Sequence, residues 1–240
     1  MTKIKKELYT YPGKESQSKS KNRDYIMTIT HPSDEVLELY ANGSLSEGMD
    51  IFVKGHLHFC PICREKVELL EMVAGELLIE DSVTAELNSN SYQNVLNKII
   101  ENETEEPQEK EVNIPGGVMP KMINNLVGRT SDEVPWRFRL PGISDYQISN
   151  RDGQEISLLK AEPGARIFQH THDGEEATLV LSGALQDGES VLRAGDVSIV
   201  DETHTHNPAI IGNDACICLI VMSGKVRFTG RFTRAFNLLT

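Results

Sequence analysis

Two stretches of this 240-residue chain collect the side chains that bind metals, each at a spacing that brings donors together. The first is His56-Leu57-His58-Phe59-Cys60-Pro61-Ile62-Cys63. If His56 to Cys60 is helical, the i, i+4 spacing stacks those two side chains on one face, and Cys63 follows after about one further turn. That makes three donors of the kind zinc prefers, and a closed structural site takes a fourth. The candidate upstream is His31, immediately before a predicted helix, from which it can fold back onto the His56/Cys60/Cys63 face. His58 points roughly 200° away from His56 on a helix and is expected at the surface or toward a partner.

The second stretch is Gly164-x5-His170-x-His172-x3-Glu176-x6-Gly183, followed by Gly195-Asp196 and His206-Asn207-Pro208. Residues two apart on a strand face the same side, so His170 and His172 can both point into a barrel. Glu176 returns to the same interior after the Asp173-Gly174 turn, and His206 arrives on a later strand. Three imidazoles and a carboxylate make a mononuclear site for zinc, manganese, iron or nickel, among which the residues do not choose. His204 shares the parity of His206 and is expected near the barrel mouth.

The remaining thiols are Cys216 and Cys218, in the apolar run from Ala215 to Met222. Strand neighbours two apart have Cα atoms roughly 6.5 to 7 Å apart, at the upper limit for a disulfide, so an intrastrand bridge is not expected. They are either small core residues or oxidisable sensors beside a metal pocket.

The elements that must carry these donors change character along the chain. Residues 1–26 have the composition of a disordered tail, and Met27 is a hypothetical alternative start that N-terminal sequencing of the native protein would test. From Pro32, an apolar face of Val36, Leu37, Leu39 and Tyr40 predicts a helix stopped at Asn42-Gly43. Ser44 with Glu47 predicts the cap of a second helix carrying Met49, Ile51, Phe52 and Val53. Pro61 opens a third, with Val67, Leu69, Leu70, Met72 and Val73 on one face and Gly75 as its stop. Ser91 to Glu103 reads as a fourth, on Val95, Leu96, Ile99 and Ile100. An acidic run from Glu101 to Glu111 then marks a linker. Beyond Pro135-Trp136, short apolar runs alternate with turn pairs such as Asp152-Gly153 and Asp187-Gly188, the rhythm of an antiparallel sandwich or barrel.

The formal net charge of -12 argues against a sequence-independent grip on nucleic acid or on an anionic membrane. No apolar run approaches the roughly 18 residues of a membrane span, and the Lys-rich start lacks a signal-like apolar core. A cytoplasmic protein with basic or neutral partners is the expectation.

The His-x3-Cys-x2-Cys core with an upstream histidine resembles the zinc-binding anti-sigma domain of bacterial regulators, over residues 27–103, with His56, Cys60 and Cys63 on the motif and His31 as the earlier ligand. The glycines, histidines and glutamate of the second stretch resemble the cupin motif: His170, His172, Glu176 and His206 match its metal ligands, and Gly164 and Gly183 its turn glycines. Asp201 stands where a proline is common. The order of the two resembles one family in particular, the ChrR-like anti-sigma factors. The fold this implies is a small all-α zinc-binding bundle (27–103), a linker (104–128) and an all-β cupin, a double-stranded β-helix or jelly roll (129–240). The function it implies is sequestration of an extracytoplasmic-function (ECF) sigma factor by the helical part, without direct DNA binding. Release would follow an oxidant, singlet oxygen in the family's best-known role, sensed by the cupin metal or by Cys216 and Cys218.

Other readings come from the residues. Cys60-Pro61-Ile62-Cys63 has the form of a glutaredoxin-like redox pair, but its surroundings are helical on both sides instead of a strand opening a helix. Three histidines and a glutamate leave positions open on an octahedral metal, so a cupin dioxygenase with an accessory helical domain is chemically allowed. A DNA-binding regulator is disfavoured by the charge. Self-association through the cupin, and an interface between the halves across the linker, stay open.

Overall fold

The computed structural model describes residues 30–80, 90–101, 119–151 and 153–230, with the side chains at 80, 100 and 101 left aside. The tail, the Met27 start and the acidic run from 102 lie outside these residues.

Ser33 caps the first helix, α1 (Asp34–Ala41), by accepting the Val36 N–H, and Asp34 and Glu35 in its first turn suit the positive end of the helix dipole. Asn42 closes it as expected, followed by Gly43 at φ 65°. The second helix, α2 (Glu47–Phe59), starts later than Ser44 implies. Ser44 spends its N–H on Leu39 O, finishing α1, and Ser46 instead caps α2 at the Met49 N–H. Pro61 does open α3 (Pro61–Glu80), but Gly75 does not stop it. A glycine ends a helix by turning left-handed, and Gly75 is not among the positive-φ glycines. Inside a helix it costs only about 1 kcal/mol. The expected apolar face of α3 is also only half used: Val67 is buried and Leu70 half-buried, while Leu69, Met72 and Val73 are exposed. The fourth helix, α4, runs Ser91–Glu101.

A fifth helix, α5 (Lys121–Val127), occupies the end of the stretch read as linker. Ile123 and Val127 are buried in the same core as Leu37 and Phe52, so packed structure resumes by Met119. The acidic composition that suggested a linker ends before this point, and a seven-residue helix without a capping side chain leaves little periodicity to read.

The β half is antiparallel throughout. Its large sheet has the order β1 (Arg137–Leu140), β2 (Ile143–Arg151), β3 (Gln154–Ala161), β10 (Cys216–Met222), β5 (Glu176–Ser182), β8 (Val197–Val200). Facing elements are β7 (Ser190–Arg193), β6 (Ala184–Asp187) and β9 (Ala209–Ile210), with β4 (His170–His172) paired to β11 (Val226–Phe228). A helical region followed by a cupin-like β fold is the two-domain arrangement expected.

The two halves share one core. On β10, Cys216 and Cys218 face the barrel interior with Val180, Leu185 and Ile210, whereas Ile217, Leu219 and Val221 face outward onto Phe52, Val53 and Val67 of the helices. Strands buried on both sides read as unbroken apolar runs, which accounts for Ile217-Cys218-Leu219-Ile220-Val221. Helix α2 lies so close on this sheet that a Cβ at Gly55 would come within 2.7 Å of Leu179 Cδ2.

Candidate metal centres

The first centre forms where α2 gives way to α3. Cys60 is the C-cap of α2, its backbone turned extended at φ -109° and ψ 102° while its N–H still donates to His56 O. That turn lets the Cys63 N–H donate to Cys60 Sγ at 3.4 Å. His31 joins them: its Nδ1 is 3.4 Å from Cys60 Sγ and 3.3 Å from Cys63 Sγ, and His56 Nε2 is 3.3 Å from Cys63 Sγ. One donor atom from each of the four lies within 4.8 Å of all the others. Zinc with bonds of about 2.0 Å to nitrogen and 2.3 Å to sulfur gives tetrahedral edges of about 3.5 Å, so this set fits a closed zinc site. Burial and the neighbouring Cys60 push the Cys63 thiol up to about 12, so a cation is needed to form its thiolate at neutral pH. Burial also lowers His56, keeping the imidazole neutral as a ligand must be.

This centre is tied to the β half. His56 Nδ1 donates to Gly195 O at 2.8 Å, which fixes the tautomer and leaves Nε2 for the metal. Next to His31, the Thr30 N–H donates to Asp196 Oδ1, its hydroxyl donates to Val197 O at 2.8 Å, and the Val197 N–H returns a bond to Thr30 Oγ1 at 2.9 Å. Gly195 sits at φ 96°, and a Cβ there would lie 2.8 Å from Phe59 Cβ, so the close approach requires glycine. The sequence marks Gly195-Asp196 only as a turn.

The second centre lies inside the barrel. His170 and His172 enter from β4, and His206 is held beside them by paired backbone bonds, His170 N–H to His206 O and His206 N–H to His170 O, both 3.0 Å. The ring atoms converge: His206 Nε2 is 3.0 Å from His170 Nε2 and 3.1 Å from His172 Nε2. His170 Nδ1 donates to Phe168 O and His206 Nδ1 to Asp187 Oδ2, both at 2.7 Å. With those protons on Nδ1, the His170 and His206 Nε2 lone pairs face each other, an arrangement that repels unless a cation lies between them. Bonds of about 2.1 Å to one divalent ion place neighbouring nitrogens roughly 3.0 to 3.4 Å apart, so the three imidazoles fit a metal. His172 Nδ1 is buried without a hydrogen-bond partner among the described residues, leaving its Nε2 as the polar atom directed at the group. Burial, with the neighbouring histidines, lowers His170 and His172 to about 4, so both are neutral donors.

Glu176 is set back from this trio. Its Oε2 is 3.5 Å from His172 Nε2, and its Oε1 accepts from Thr178 Oγ1 at 3.0 Å. Burial raises its carboxyl. Gly164 and Gly183 take φ 77° and 72°, the conformation expected of turn glycines. His58 is exposed, as is His204, whose ring stands edge-on to His206 at 5.6 Å. Cys216 and Cys218 are buried, unbridged thiols with Sγ atoms 3.7 Å apart. The Cys218 S–H bond lowers Cys216, while the same contact and burial raise Cys218. Asp187 escaped the sequence reading because an Asp-Gly pair signals a turn.

Residues 125–226 match the model of the ChrR cupin-like domain. The chain is 33% identical over 204 residues to Anti-sigma-E factor ChrR of Cereibacter sphaeroides, covering 84% of this chain and 93% of that protein. It belongs to the ChrR family of anti-sigma factors. A crystal structure of Rhodobacter sphaeroides SigE in complex with the anti-sigma ChrR is similar to it with a TM-score of 0.68 at 30% identity, over 80% of this chain and 98% of that one. Family membership makes the chain a regulator and answers the oxygenase alternative: it is not an enzyme. Among the described residues, no helix is long and apolar enough to cross a membrane.

Proposed function

We propose that this ChrR-family protein holds an ECF sigma factor away from RNA polymerase through its helical domain, with zinc on His31, His56, Cys60 and Cys63. The cupin half senses an oxidative, singlet-oxygen-like signal through a divalent metal on His170, His172, Glu176 and His206, or through Cys216 and Cys218, and its response loosens the helical domain. The observation that carries the binding role is the uncovered apolar face of the helices. Leu69, Met72 and Val73, within about 100° of one another around α3, are 60%, 72% and 53% exposed, and Tyr92 and Val95 share an exposed face of α4. Contiguous apolar surface on a soluble domain marks a protein contact, and the ChrR of the similar crystal structure is bound to SigE. The net charge of -12 suits a basic, DNA-binding partner. The working place is the cytoplasm, without direct DNA contact, and self-association through the cupin is a further expectation for sedimentation to test.

The test is co-purification of the full chain from its own cells. A sigma factor should accompany the wild type, be lost with Met72→Glu/Val73→Glu, and dissociate after illumination with a singlet-oxygen sensitiser. Retention through illumination in wild type would remove the sensing role while leaving the binding role intact.

A further inference from the structure

Asp187 ends β6 where the chain turns back into β7, paired with Ser190 across a hairpin whose Gly188 takes φ 58°. An aspartate in that place commonly faces solvent and bonds to its own turn. Here Gln186 Nε2 secures the turn by donating to Gly188 O at 3.1 Å, and the Asp187 carboxylate points the other way. Its Oδ2 accepts from His206 Nδ1 at 2.7 Å, with the two side chains 16% and 6% exposed. The backbone of His206 is already fixed by its two bonds to His170, so the carboxylate sets what remains free, the rotation of the ring and the place of its proton.

We infer that Asp187 is a positioning residue for the cupin metal: it holds His206 in the Nδ1–H tautomer with Nε2 turned toward His170 and His172. A carboxylate on the far nitrogen of an imidazole both orients the ring and strengthens it as a donor. This inference rests on the reading that the three histidines bind a divalent metal. Asp187 does not touch that metal, and it belongs to the centre through His206 alone. His204, the exposed neighbour whose donor atom also lies within 4.8 Å of Asp187 and His206, has no part in it.

The experiment is a Co2+ titration of the full-length, metal-free chain. The intense thiolate-to-cobalt charge-transfer band reports the His31/His56/Cys60/Cys63 site, and the weaker ligand-field bands of a thiolate-free ion report the cupin. Asp187→Ala should weaken cupin binding by roughly 10- to 100-fold and leave the thiolate band's titration unchanged. Asp187→Asn, whose amide oxygen still accepts the Nδ1 proton without the charge, should lose less, and His204→Ala should lose nothing. Should Asp187→Ala fail to fold, the Asn variant carries the test through a loss smaller than that of His206→Ala. Unchanged cupin affinity in both Asp187 variants would overturn the inference alone. A wild type that binds cobalt only at the thiolate site would overturn the metal reading with it. A second cupin-bound cobalt lost with His204→Ala would show Asp187, His204 and His206 to be ligands themselves.

Discussion

The two centres solve the same problem by different means. At the helical centre three donors come from one eight-residue piece of chain, and two are buried thiols, of which Cys63, pushed up to about 12, needs a cation to hold its charge at neutral pH. At the cupin centre the donors come from β4, β5 and the approach to β9, on a scaffold whose strands are hydrogen-bonded whatever lies among the histidines. On the proposed reading, a metal would be part of the fold in the first arrangement and a guest held by the fold in the second. A closed set of two thiolates and two imidazoles leaves no room for a further ligand, whereas three imidazoles with a carboxylate set back leave positions open. Shape belongs to the first centre and exchange to the second.

The sharpest break in that comparison is metal removal. Structural zinc contributes on the order of 10 kcal/mol or more to small zinc domains. Cys63→Ser, or chelation, should therefore melt α1 to α3 and abolish sigma-factor capture. His170→Ala should leave the thermal unfolding transition nearly unchanged. Circular dichroism melts of the two variants, side by side, check this; equal losses would mean that the second centre is structural too.

A smaller effect tests the boundary between the regions. Because Leu219 packs outward from β10 onto the helices and is fully buried, Leu219→Ala should cost about 2 to 5 kcal/mol. The cost should appear in one unfolding transition common to both halves. Two separate transitions, with only the later one shifted, would show that the halves fold independently despite the shared core.

What was legible beforehand follows from where each signal lies along the chain. Two donors of each centre, His56 with Cys60 and His170 with His172, stand at local spacings, i to i+4 and i to i+2, that survive without knowledge of the packing; the structure brings His31 and His206 to them from more distant sequence, with Glu176 a step back. The shared core left no such mark. The outward row Ile217, Leu219 and Val221 and the inward row Cys216 and Cys218 merge into one apolar run that looks like any buried strand, and what covers its second face is set by residues more than a hundred positions away. Met72 and Leu69 misled for the opposite reason: periodicity records an apolar face but not whether the chain itself covers it. Asp187 and Gly195 were visible only as turn residues, since a turn signal says nothing about where the side chain or carbonyl points.

Acid should separate the centres by sign as well as size. His170 and His172 are neutral in the fold, lowered to about 4, while in the unfolded chain they titrate near 6.5. Between those values the unfolded chain binds more protons, so stability rises with pH. Their contribution is whole above about pH 6.5 and is lost as the pH falls toward 4. For the chain with its cupin centre empty the loss is on the order of a few kcal/mol, shared because the rings titrate against one another. Denaturant unfolding followed by the fluorescence of Trp136, the sole tryptophan, measures it, and the slope should flatten in His170→Ala/His172→Ala.

The smallest effect is the most telling about how the centres communicate. Both imidazoles of the helical centre are flanked by bonds to Gly195, Asp196 and Val197, and the Gly195 N–H and Asp196 O in turn bond to Val180 on β5, the strand that begins with Glu176. A shift of β5 at the cupin metal therefore has a hydrogen-bonded route to His56 and Thr30. Thr30→Val keeps the shape and removes the hydroxyl's two bonds, leaving the Val197 N–H without its partner, at a cost of about 1 to 2 kcal/mol. If this strap carries the signal, the variant should bind its sigma factor nearly as tightly as wild type in the dark. Sigma release after illumination should then become incomplete, a dissociation of function from stability that a merely structural strap would not produce.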